Sequence, residues 1–203
     1  MGLQNYRVLF MAVTGILALL VASPALSRLL VYPRTEFFTE LSLLDLNHRA
    51  EDYPYNITRG QNYSIFLDVA NHLGYTAYYL VEVKFRNMTQ SAPYDFGPPS
   101  NQTPSSLPSL YNVSAFVADE ETWEEHLTFS FDYANTTLST VQMHSLRLNN
   151  ADLNMSGYSI TWDSQKKAFD GFLFFELWLY NMTSVSFQYH ERFVVLRLNM
   201  TLI

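Results

Sequence analysis

The densest group of chemically capable side chains is the run Asp119-Glu120-Glu121-Thr122-Trp123-Glu124-Glu125-His126, which places five carboxylates and an imidazole within eight residues. Oxygen-rich clusters hold Ca²⁺, and Glu/His clusters hold Zn²⁺. The run lacks the Asp/Asn-Gly alternation of a Ca²⁺ loop, and the chain contains no H-x-x-x-H pair. A charged helical turn joining two strands is therefore the favoured reading, and no metal is expected. Glu176 is the second candidate, because it stands among Phe172, Phe174, Phe175 and Trp178. A carboxylate buried there could serve as an acid or base. Pairing with a neighbouring arginine, Arg192 or Arg197, is the commoner arrangement.

Lys84 is one of three lysines and could form an isopeptide crosslink, a substitute for disulfides in a chain without cysteine. Its strand parity groups it with Glu82 on a solvent-facing side, whereas such crosslinks form under cover, so the pattern argues against one. No G-x-S-x-G elbow, P-loop, G-x-G-x-x-G or H-E-x-x-H occurs. No catalytic residue, cofactor or metal site is assigned.

Asparagine carries the strongest signal. Nine of fourteen lie in N-x-[ST] triplets: Asn56, Asn62, Asn87, Asn101, Asn112, Asn135, Asn154, Asn181 and Asn199. Chance would place roughly two there under the acceptor rule. Four are the same Asn-Met-Ser/Thr unit, at 87, 154, 181 and 199. The expectation is an outward-facing surface bearing N-linked glycans. A net charge of -7 argues against nucleic acid as a partner.

These residues need a scaffold and an address. Residues 8–27 (VLFMAVTGILALLVASPALS) run twenty positions without a charge, about 30 Å as a helix. This predicts an N-terminal transmembrane helix that stays attached, with a removed signal segment as the alternative. Ser23 and Ala25 resemble a cleavage site, but Pro24 interrupts it. Arg7, Arg28 and Arg34 nearly balance across the run, so the sequons rather than charge place the remainder outside. The expected organisation is an anchor at 1–31, a tether at 32–36 and an extracellular domain at 37–203.

Past residue 37 the hydrophobic period is two. Tyr63, Ile65, Leu67 and Val69 share a face; so do Val81, Val83 and Phe85, and Leu127, Phe129, Phe131 and Tyr133. Residues 172–180 (FLFFELWLY) are apolar on both faces, which predicts a central strand lying between layers or under a loop. Further strands are expected near 41–46, 112–117, 141–148, 158–162 and 187–202. The fold class is all-β: an immunoglobulin-like antiparallel β-sandwich of about eight or nine strands. Residues 91–109 hold five of the eight prolines and predict a solvated insertion. Gly60 and Gly74 are read as turn glycines with positive φ, Gly74 within a hairpin turn at 71–74.

The segments PRTEF (33–37), YPYNITRG (53–60), Asn71-His72 and YYLVEV (78–83) resemble an archaeal membrane-protein family known as domain of unknown function 1616. FLFFELWLY and RFVVLRL (192–198) are similar to that family's closing strands. Leu73 departs from the acidic residue expected after Asn-His, and one hydrophobic segment stands where members often carry several. The resemblance implies an archaeal envelope protein with an external β-sandwich, and it supplies no activity. The expected function is a membrane-anchored, N-glycosylated envelope protein that binds a protein partner, as an accessory subunit of a membrane complex or surface layer. The alternative is a secreted subunit of an extracellular filament built from like subunits, with 32–46 as the exchanged strand.

Overall fold

The computed structural model describes residues 3–29, 36–90 and 103–201. The chain divides into two compact units, Met1–Phe37 and Phe38–Ile203.

The first unit holds helix α1, Leu3–Leu29. A helix forms where one is expected, but among the described residues no helix is long and apolar enough to cross a membrane. Arg7 stands immediately before its apolar run, and Thr14 and Gly15 lie within it. The transmembrane helix expected over 8–27 is therefore not supported.

Among the described residues the second unit is built of eleven strands: β1 Phe38–Leu44, β2 Asn56–Ile57, β3 Tyr63–His72, β4 Ala77–Asn87, β5 Ser109–Val117, β6 Thr122–Thr137, β7 Thr140–Leu148, β8 Ala151–Asn154, β9 Ser159–Thr161, β10 Asp170–Asn181 and β11 Ser186–Met200. One sheet, here sheet A, has the order β1-β3-β6-β7-β8, with β9 also on β7; sheet B has the order β2-β11-β10-β4-β5. All nine expected strands are present. The two additional ones, β2 and β8, are too short for a period to register in sequence.

Alternation explains which face each strand buries. Along β4, Tyr79, Val81, Val83 and Phe85 turn inward and are at most 1% exposed. Leu127, Phe129, Phe131 and Tyr133 of β6 turn inward from sheet A and are at most 2% exposed. The two rows meet across the layers, with Phe85 and Phe131 ring centroids 5.9 Å apart. Gly171 of β10 makes room for this packing: a Cβ there would lie 2.7 Å from Phe85 Cζ. Such overlap costs typically 1–3 kcal/mol when forced.

Sheet B's β11-β10-β4-β5 order matches the G-F-C-C′ order of an immunoglobulin variable domain. Sheet A differs in one connection. The strand beside β3 is β6, which precedes the outer β7 in sequence, because Thr137 and Thr140 close a tight hairpin between them. The β2–β11 pairing is parallel, a departure from a purely antiparallel sandwich.

The turn at 71–74 is also corrected. Gly74 has φ +82° and Gly60 φ +73°, as their turn roles require. Yet 71–74 carries the chain from β3 in sheet A to β4 in sheet B, so it is a crossing between layers and not a hairpin. Strand β1 pairs with β3 of its own chain over seven residues, from Phe38↔His72 to Leu44↔Phe66. The described part of the segment expected as a strand donor is thus occupied in cis.

Candidate functional site

The acidic run does not converge. Residues 119–121 form the turn before β6, and from Thr122 the run is strand, not the helical turn expected. Strand geometry sends successive side chains to opposite faces. Glu124 meets His48 Nδ1 at 2.9 Å, Glu120 meets His72 Nδ1 at 3.0 Å, and Asp119 accepts the Gly74 N–H at 2.8 Å. Among the described residues, no three His, Asp or Glu side chains come together as a metal site would need.

The sequons spread over both sheets. Asn56, Asn62, Asn112, Asn135 and Asn154 are exposed, and Asn87, Asn181 and Asn199 are half-buried. Asn101 lies outside the described residues. Three of the Asn-Met-Ser/Thr units fold back as Asx turns, in which the asparagine Oδ1 accepts the N–H two residues on. These are Asn87 with Thr89 at 3.0 Å, Asn154 with Ser156 at 2.9 Å and Asn181 with Thr183 at 2.8 Å. Asn199 is different. Its Oδ1 accepts the Phe169 N–H at 3.0 Å, and its Nδ2 donates to Asn56 Oδ1 at 2.9 Å.

Glu176 and Lys84 do come together, on the outer face of sheet B. Glu176 lies directly opposite Glu82, and Lys84 opposite Phe174, one pair along. Two carboxylates facing across strands repel. Lys84 resolves this by placing Nζ 2.8 Å from Glu176 Oε2 and 3.0 Å from Glu82 Oε2. The expected arginine partners are elsewhere: Arg197 grips Asp170 with two bonds of 3.0 and 2.7 Å, and Arg192 donates to the Glu191 carbonyl.

Parity assigned Lys84 correctly to the outer face but wrongly to solvent. It is 3% exposed and Glu176 is fully buried. The cover is the described end of the proline-rich segment, residues 103–108, where Ser105 and Leu107 are buried. Ser105 donates its N–H to Glu176 Oε1 at 3.1 Å and its hydroxyl to the same oxygen, while its carbonyl accepts from Lys84 Nζ at 3.4 Å. Trp178 closes one side, with Nζ 5.8 Å from the ring centroid. This part of the insertion is a packed strap, because the outward row Phe174, Glu176 and Trp178 needs covering.

A second polar feature runs between the layers and has no counterpart among the expected residues. Asn71, fully buried, donates Nδ2 to the carbonyls of Tyr75 (2.7 Å) and Val117 (2.9 Å). Its Oδ1 accepts from Leu73 N–H and Tyr79 O–H, both at 3.1 Å. Because the Tyr79 proton is committed to Asn71, Tyr79 must accept from Thr39 (2.9 Å), and Thr39 from His190 Nε2–H (2.9 Å). One amide thus sets the direction of the whole chain of bonds, and with it the His190 tautomer.

Burial pushes the His190 imidazole below its ordinary value, and Arg192 pushes it the same way. The unfolded chain therefore takes up this proton at a higher pH than the folded one. The stability contribution is complete above the ordinary imidazole value and is lost as pH falls through the folded value. Urea midpoints should decline as pH drops from about 7 to 5, and His190→Gln should flatten that slope. An unchanged slope in the variant would remove His190 from this role.

The third feature is a surface. At one end of sheet B's outer face, Tyr78 stacks on Phe116 with centroids 4.2 Å apart and planes 12° apart, and Phe187 and Tyr180 close in at 5.1 and 6.0 Å. Phe116 is 73% exposed and Met182 84%. Together with Tyr75 they line a groove of about 590 Å³. The signal was present in sequence: Phe116 shares its parity with the polar Asn112 and Ser114 of β5.

No curated protein matches the chain. Among solved structures, a beta-glucosidase from Listeria innocua aligns in its complexes with isofagomine, glucose and gluconolactone, at 8, 7 and 7% identity and TM-scores of 0.39, 0.37 and 0.35. The alignments cover 83, 85 and 85% of this chain, which spans only 17% of the beta-glucosidase. The family match ends at residue 143, so the resemblance read in 172–180 and 192–198 lies outside it. Residues 33–143, more than half of the sequence, match the model described as Domain of unknown function (DUF1616), and the chain belongs to that family.

Proposed function

We propose that this protein is an N-glycosylated archaeal cell-envelope protein, facing outward and associated with the membrane through α1, whose immunoglobulin-like sandwich acts by binding a protein partner. The observation that carries this reading is the exposed aromatic end of sheet B, where Tyr78, Phe116, Tyr180, Phe187 and Met182 present a contiguous apolar surface. Clusters of this kind, aromatic and rimmed by polar groups, mark interaction sites on soluble domains. The density of sequons supports the outward orientation, and the apolar helix supports membrane association.

Phe116→Ser tests it. Phe116 is mostly exposed, so its loss should leave the unfolding midpoint within about 0.5 kcal/mol of the parent. Partner recovery by crosslinking in detergent-solubilised native membranes should fall at least about tenfold, as for a binding hot spot. Equal recovery by parent and variant would overturn the assignment of this face.

A further inference from the structure

We propose that Lys84 and Glu176 become joined by an amide bond, which the folded chain forms without any other reactant. The plain alternative is a buried ion pair, and the surroundings hold more than an ion pair requires. Three groups are placed as the condensation needs them. Lys84 Nζ, the nucleophile, is 2.8 Å from Glu176 Oε2. Glu82 Oε2 is 3.0 Å from the same nitrogen, within reach to take its proton. On the far side of the carboxyl, the Ser105 N–H and hydroxyl both donate to Oε1.

That pair of donors converging on one oxygen is the arrangement that holds an oxyanion. It assigns the two carboxyl oxygens different fates: Oε1 is held and becomes the amide carbonyl, and Oε2, facing the lysine, leaves. The strap and the Trp178 ring exclude water from a site where Glu176 is fully buried and Lys84 is 3% exposed. Holding both reactants in contact converts a sluggish bimolecular condensation into an intramolecular one.

The step balances. A proton passes from the Lys84 ammonium to Glu176 Oε2 across the 2.8 Å contact, leaving a neutral amine and a neutral carboxyl, and Glu82 takes a second nitrogen proton as the lone pair attacks Cδ of Glu176. The new C–N bond forms while negative charge gathers on Oε1 against Ser105. The proton held by Glu82 then passes to the Oε2 hydroxyl, which departs as water when the C–O bond breaks. Three ammonium protons become one amide N–H and two on water. Glu82 returns to its carboxylate, and nothing is oxidised or reduced. The product bridges residues 92 apart in sequence and ties β4 to β10 covalently in a chain without cysteine.

The test is the mass of the full chain, made in a host without N-glycosylation. It should be lighter than the sequence mass by one water, and a protease digest should contain a branched peptide joining the Lys84 and Glu176 segments. Lys84→Arg and Glu176→Ala should each restore the sequence mass. Glu82→Gln should give a mixture in which the lighter species accumulates at least tenfold more slowly; closure at the parental rate would overturn the part given to Glu82. A parent at the full sequence mass, or a water loss mapped to any other pair, would overturn the crosslink, and that result does not depend on whether any variant folds.

Discussion

Relative to the chain in which Lys84 and Glu176 are still an ion pair, Lys84→Ala is expected to destabilise the sandwich by about 3–5 kcal/mol, because it leaves Glu82 and Glu176 facing one another without a cation. For a unit of this size that corresponds to a fall in melting temperature of roughly 10 °C. Urea and thermal unfolding of the variant and of parent protein at its full sequence mass, not yet joined, measure it. The mechanism is distinguishable from simple loss of packing. Removing the opposed charge at the same time, in Lys84→Met with Glu176→Leu, should recover most of the loss, since an apolar pair of similar volume often replaces a buried ion pair at little cost. A single variant costing below about 1 kcal/mol would show that Glu176 finds another partner or water.

The second large effect is expected at Asn71. Asn71→Leu keeps approximate volume but strands four groups: the Tyr75 and Val117 carbonyls, the Leu73 N–H and the Tyr79 hydroxyl. Each buried group left unpaired costs about 1–3 kcal/mol, partly relieved where local movement admits water. A total of about 3–4 kcal/mol is expected in urea unfolding. Tyr79→Phe removes two bonds, to Asn71 and from Thr39, and should cost about 2 kcal/mol. In a double-mutant cycle the two should couple, the combined cost falling short of the sum. Additivity within about 0.3 kcal/mol would mean that Tyr79 and Asn71 act independently, contrary to the bond at 3.1 Å.

These two sites mark where sequence legibility ends. Period-two patterning located β3, β4, β6 and β10 because a buried face imposes it locally, and the doubly apolar 172–180 foretold a covered central strand. Parity also placed Lys84 and Glu82 on the same outer face, which is correct. It could not say that the face is roofed, because the roof comes from residue 105, 21 positions from Lys84 and 71 from Glu176. A cover supplied by irregular backbone leaves no period to read. Asn71 was legible as a turn residue and not as the hub of a bond network, since its partners come from β1, β4 and the end of β5. The acidic run failed for the opposite reason: residues adjacent in sequence suggest a cluster, and a strand then deals them to alternate sides. Phe116 was legible in principle, as an aromatic on the polar side of an edge strand.

The strand order of sheet B also dictates a timetable for the nascent chain. The central strand β10 and its neighbour β11 are the last two strands of the sandwich in chain order, and β4 pairs with β10 from Tyr79 to Asn87. Until residues 170–200 have been synthesised, β4 has only β5 to pair with, and β2 lacks the strand it pairs with. Sheet A can assemble early from β3, β6 and β7, but its inner row of Leu127, Phe129 and Phe131 then waits for a second layer. The growing polypeptide therefore carries an uncapped apolar surface until β10 and β11 have been made, which makes that interval its period of greatest exposure to aggregation and to holding chaperones.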